Sequence, residues 1–167
     1  MFKSGNPVVI AMTAKSDMLR YFLASIAYHA TKVIKDAPEG YPELNIGKGV
    51  RTPKRLLHHI TVVLSYAHSF YEHYDTTYFE HKSWAGEVEH FYVTLLKLDE
   101  SFKEKTPREV SEEQILQGPL SDAMAHIGQL LMLRRLADSP VPAENFIYAD
   151  IRKGNLGPDQ PEPVSPD

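Results

Sequence analysis

Four stretches of the chain repeat their apolar residues with the period of an α-helix, and none alternates convincingly as a strand would. The first covers about residues 16–36, "SDMLRYFLASIAYHATKVIKD", with Ser16 or Asp17 as N-cap. The second covers about 52–73. Thr52 as N-cap with Pro53 at the first helical position is a strong start signal, because that position has no use for an N–H. The third runs over about 83–102 from Ser83, and the fourth over about 119–138, closing with Arg134 and Arg135 before "SP". "PVVIAM" is the nearest approach to a strand, and a lone strand has no partner here. Four helices of about 20 residues predict an all-α four-helix bundle, whose sites are built from side chains facing the bundle interior.

The connecting segments fit that reading. "APEGYPELNIGKGVR" is rich in Pro and Gly and reads as a surface loop. "KEKTPREVSEEQILQ" has room for a short extra turn, and "AENFIYAD" for a short helix. Residues 1–153 are expected to form the bundle domain. From Gly154, "GNLGPDQPEPVSPD" is Pro-rich and acidic, which predicts a mobile tail over 154–167.

Composition narrows the chemistry. With 167 residues the chain suits one domain with a real hydrophobic core. A formal net charge of −4 argues against nucleic acid as the main partner, since phosphate binding needs a basic surface. No apolar run approaches the roughly 20 residues of a membrane span, and no signal peptide is visible, so the expected location is the cytoplasm. The absence of Cys excludes thiolate ligands and a cysteine nucleophile in this chain, leaving His and carboxylates as metal ligands.

The chain has eight His, and the helical wheel sorts them. His59 shares a face with Leu56, Val63, Tyr66 and Phe70 and is expected to point inward. His58 shares its face with Lys54, Ser65 and Glu72 and is expected in solvent, as is His90. A lone inward His is more often a hydrogen-bonded core residue than a ligand. In the fourth segment Asp122, His126, Gln129 and Leu133 form one stripe beside the apolar face. Asp122 and His126, at i and i+4, can chelate a metal from one helix; equally they can be a hydrogen-bonded pair with the Asp complementing the helix dipole. Together with His59 they offer three N/O ligands, the complement of a catalytic zinc-type site with an open position. Tyr66 and Gln129 lie one or two turns from these residues, as candidates either to orient a ligand or substrate or to pack the interior. His29 is expected at the edge of the first helix's apolar face, and His68, His73 and His81 carry no readable pattern.

Two of these motifs carry a family resemblance. "TPKRLLHHI" resembles the "SPREVLAHL" type of motif that opens the second helix of the DinB/YfiT-like superfamily. "DAMAHIGQLLMLRRL" resembles its fourth-helix motif, usually His-x-x-x-His followed by Arg-Gly-Gln and an apolar run. The resemblance spans about residues 10–150. It implies an up-down-down-up four-helix bundle, frequent homodimers, and a divalent metal held by three side chains, which fall on His59, Asp122 and His126. The middle position is commonly His in the family and is Asp122 here, a harder ligand that moves preference toward Mn, Fe or Ni while still allowing Zn. The family's Arg before Gly-Gln is Ile127. The implied function is a metal-dependent enzyme on a small-molecule substrate, as a thiol-dependent transferase or a hydrolase, any low-molecular-weight thiol coming from outside this Cys-free chain. The alternative is a non-catalytic stress- or damage-response bundle with a structural or absent metal. Up-down-down-up order also needs a crossover between the second and third helices. "YDTTYFEHKS" is barely long enough, which points to one of those helices being shorter than its periodicity suggests.

Overall fold

The computed structural model describes residues 14–73 and 82–164. Within them the chain is all helical, with long helices α1 (Ala14–Ile34), α2 (Pro53–Ser69), α3 (Trp84–Glu104) and α5 (Ser121–Leu136), and a single turn α4 (Glu112–Ile115). The start signals act as expected. Thr52 Oγ1 accepts from the Arg55 N–H at 3.4 Å, Ser83 Oγ from the Gly86 N–H at 3.2 Å, and Ser111 with Gln114 closes a reciprocal capping box on α4. "PVVIAM" and His81 lie outside the described residues.

The fourth segment starts differently from its pattern. Gly118 and Pro119 do not open a helix; they sit in a π-helical turn, Leu116–Leu120, that carries the chain from α4 into α5. Pro119 has no N–H to donate, and the wider turn absorbs the missing bond. Ser121 Oγ donates to the Leu116 carbonyl at 2.6 Å and ties the turn to α5.

Side-chain pairings fix the helix directions. Along α1 and α3, Arg20 meets Asp99 at 2.8 Å and Thr31 meets Tyr92 at 2.9 Å, so these helices are antiparallel. Along α2 and α3, His58 meets Glu87 at 3.1 Å, and Arg108 beyond α3 donates its N–H to Phe70 O at 2.7 Å, so these run the same way. Arg134 near the end of α5 donates to Val33 O at 2.7 Å near the end of α1, so α1 and α5 are parallel. The order is up, down, down, up, with α1 packed on α3 and α5, and α2 on α3 and α5. The α2–α3 connection must therefore return along the bundle. Because α2 stops at Ser69 rather than at residue 73, residues 70–83 are available for it. Fourteen residues reach about 46 Å when extended, against about 25 Å for a helix of α2's length.

Leu23, Ile26, Leu57, Ile60, Leu64, Phe91, Leu95, Leu98 and Leu130 fill the core, each fully buried. Arg134, 5% exposed, reaches across to donate also to Lys35 O at 3.1 Å and Asp36 O at 3.3 Å. A helix leaves its last carbonyls without partners, and this guanidinium supplies them for α1. The stretch from Gly154, expected as a mobile tail, lies against the body as far as residue 164. Leu156 is 2% exposed, Gln160 Nε2 donates to Gly157 O at 2.8 Å, and Lys35 pairs with Glu162 at 3.0 Å. One buried Leu anchors a segment whose composition is otherwise that of a solvated chain. "AENFIYAD" holds a 3-10 turn, Phe146–Tyr148. Among the described residues no helix is long and apolar enough to cross a membrane.

Candidate metal centre

The buried arc of α2 runs through Leu56, Leu57, Ile60, Thr61, Leu64 and Ser65, because α2 packs on two neighbours. His58 and His59 stand at opposite borders of that arc. His59, at the α5 border, is half-buried, and its ring lies edge-on to that of His126, with centroids 4.7 Å apart and planes at 76°. His126 comes from α5 with its side chain 13% exposed, and its Nε2 is 3.3 Å from Asp122 Oδ1 one turn earlier. Asp122 is 50% exposed and opens to solvent. The structure brings His59, Asp122 and His126 together: one ligand atom from each lies within 4.8 Å of the others.

The donor set fits a divalent ion. Ligand atoms 2.0–2.2 Å from a tetrahedral ion stand about 3.4 Å apart, so modest side-chain rotation closes the group on an ion. Burial is the main force lowering the pKa of His59, and the positive charges of Arg51 and His126 act in the same direction against the opposing pull of Asp122. His59 is therefore held as neutral imidazole, the form that ligates. His126 Nδ1 is buried with no hydrogen-bond partner among the described residues. A buried ring with one nitrogen unsatisfied and the other facing a carboxylate costs stability, and such a cost recurs where a site is built for a ligand.

His58 is not in solvent. Its side chain is 12% exposed, and its Nδ1 lies 3.1 Å from both carboxylate oxygens of Glu87, which is fully buried and also accepts the Lys82 N–H at 2.8 Å. The sequence pattern centres the apolar face near Val63 and Tyr66, whereas the buried arc centres on Leu57 and Leu64. That same displacement explains Tyr66. It is 55% exposed and lines an open cleft with Val62, Val63, Pro119 and Asp122. Gln129 is exposed too, and lines a second cleft with Arg51 and Arg55. Neither residue packs the interior; Tyr66 stands about two turns from His59 and Gln129 about one turn from His126, each on a cleft wall.

The remaining histidines serve elsewhere. His29 bonds the Ser25 carbonyl through Nδ1 at 2.8 Å and lies against Phe146, with ring centroids 4.3 Å apart. His90, expected in solvent, is half-buried, and burial lowers its pKa. His68 is 6% exposed within the bundle.

Sequence reasoning missed Glu87, Arg51, Arg55 and the π-helical turn. Pro119 was a readable signal for the turn, since a proline within a helical stretch marks a break in its ladder. Glu87 had no comparable signal, because an isolated Glu in a first turn is ordinary dipole compensation. No family model matches this chain, and neither a curated protein nor a solved structure matches it.

Proposed function

We propose that the chain is a metal-dependent enzyme, with one divalent ion held by His59, Asp122 and His126 and a small-molecule substrate admitted from the adjoining clefts. The observation that carries this reading is the convergence of three N/O ligand atoms within 4.8 Å at a border open to solvent. Among the described residues no fourth His or carboxylate joins the group. Three protein ligands and an accessible face are the pattern of catalytic sites, whereas structural sites are closed by a fourth ligand. The alternative of a non-catalytic bundle with a structural metal lacks that closure.

The ion would supply Lewis acidity, lowering the pKa of a water or a small-molecule thiol toward neutrality. The chain's own residues set the conditions. His59 and His126 would present ring nitrogens to the ion, and Asp122 would contribute the charge that offsets part of the ion's. Tyr66, with its ring in the cleft beside Asp122, is placed to contact a bound substrate. The chain has no Cys, so a thiol, where the reaction uses one, arrives with a second small molecule.

The up-down-down-up order and the ligand positions also support kinship with the DinB/YfiT-like superfamily, to which a thiol-dependent transferase or a hydrolase would belong, and within it a homodimer. Elemental analysis of protein purified without a chelating tag tests the metal. About one ion per chain is expected, Zn, Ni, Mn or Fe, and none in His59→Ala. A wild type free of metal that also fails to take up zinc on titration sinks the reading.

A further inference from the structure

The triad lies between two clefts of opposite character. Toward the C-terminal end of α2, Val62, Val63, Tyr66 and Pro119 form an apolar wall of a cleft of about 780 Å³ that ends at Asp122. Toward the N-terminal end, Arg51, Arg55, Asn45 and Gln129 line a second cleft of about 710 Å³. The antiparallel pairing of α2 and α5 produces this order. Arg55 is one turn before His59 and Val63 one turn after it, while Gln129 follows His126 by a turn and Pro119 precedes Asp122 by nearly one. From Arg55 to Tyr66 the helix axis spans about 16 Å.

The polar end is cationic, and among the described residues no acid lines it. Arg51 and Arg55 are exposed, and neither has a carboxylate within 4.0 Å among the described residues. Arg51 is near enough to His59 for its charge to act on that ring. Gly47 and Gly49, at φ 74° and 75°, bring the loop to the cleft without side chains to fill it. At the other end, Tyr66 is exposed and the two valines are half-buried, so that this apolar face is only partly covered by packing. Scattered exposed apolar residues need no explanation, but a contiguous wall ending at a ligand set does.

We infer that the site takes an elongated amphipathic anion, its apolar body against Val62, Val63, Tyr66 and Pro119, its oxyanion head at Arg51 and Arg55, and its reacting group between them at the triad. A carboxylate and a phosphate monoester share this head-group chemistry, since guanidinium binds either through paired N–H donors. The inference rests on the metal reading for the place of the reacting group, but the two ends hold the ligand without the ion.

Calorimetric titration of the full chain in EDTA, with octanoate, octyl phosphate and octanamide, tests it. At least one of the anions should bind more tightly than the neutral amide, and the better anion identifies the head group. In Arg51→Gln/Arg55→Gln its affinity should fall about ten- to a hundredfold, the scale of losing charge-assisted hydrogen bonds, while zinc still binds at one ion per chain. Tyr66→Ser should weaken octanoate relative to butyrate and leave zinc binding alone. All three positions are exposed, so the variants should fold as the wild type does. If neither anion binds in EDTA, or if the double variant binds as well as wild type, the proposal is wrong. If the anion binds through the arginines but zinc does not bind, the two-ended cleft stands and the metal reading falls.

Discussion

His59 and His126 meet edge to face, 4.7 Å between ring centroids, across the antiparallel pair α2 and α5. Two imidazoles in this position gain little from each other. Both cannot be charged without repulsion, and one of their nitrogens, His126 Nδ1, is buried unsatisfied among the described residues. A leucine at either position would pack the same border at lower cost. The arrangement carries a stability cost that a bound ion would offset, and that makes the proposed metal testable through folding as well as through binding.

In EDTA, His126→Leu should be more stable than wild type, by about 1–2 kcal/mol, because it removes a buried group lacking a partner. With zinc in excess the order should invert, since only the wild type gains the stabilisation of a ligand bound to the folded state. Urea unfolding in EDTA and in zinc measures both. If zinc shifts the two proteins equally, His126 is not a ligand.

The neighbouring histidine should behave in the opposite way. His58→Ala leaves the fully buried Glu87 with the Lys82 N–H but without its imidazole partner. A loss of about 1–3 kcal/mol is expected, with zinc stoichiometry unchanged. A stable variant that loses zinc would mean that His58, and not His59, serves the ion.

The contrast between these two residues shows what the sequence could reveal. Helix starts were readable because Thr52–Pro53 and Ser83 act locally, through the first turn of backbone. The grouping of Asp122 with His126 was readable because i,i+4 spacing on one helix is local too. Their approach to His59 depended on which helix packs beside α2; the inward faces of the two segments allowed it and the family resemblance implied it, but periodicity alone cannot set one helix beside another. The rotation of α2 departs from its wheel because Val63 and Tyr66 share a face with Leu56 and look like core residues. They line an open cleft instead, and no periodicity distinguishes an apolar wall kept for a ligand from one kept for a neighbouring helix.

Buried imidazoles also predict an acid sensitivity. Burial lowers the pKa of His29, His68 and His90 from the ordinary value of 6.5. The unfolded chain then binds these protons more tightly than the folded one, so stability is fully present above about pH 6.5 and declines as pH falls below it. Urea unfolding in EDTA at about pH 7.5 and about pH 5.5 should give a clearly lower midpoint at the acid value. Coincident midpoints would show that these rings titrate as they do in the unfolded chain.

Asp122 separates a ligand from a helix-start residue. It stands in the first turn of α5, where no side chain caps the helix, and its carboxylate is 50% exposed and 3.3 Å from His126 Nε2. If it only complements the helix dipole, Asp122→Asn keeps the shape and costs roughly 0.3–1 kcal/mol, with zinc affinity unaltered. As a ligand, Asp122 supplies the only anionic oxygen of the triad, and a neutral amide in its place should bind the ion far more weakly. We expect the second outcome in zinc titrations. Asp122→His should then recover binding with three imidazoles, and its preference should move toward zinc and away from manganese, since nitrogen donors suit the softer ion. An Asp122→Asn protein that titrates like wild type would remove the carboxylate from the site and leave two histidines, too few to hold a catalytic ion.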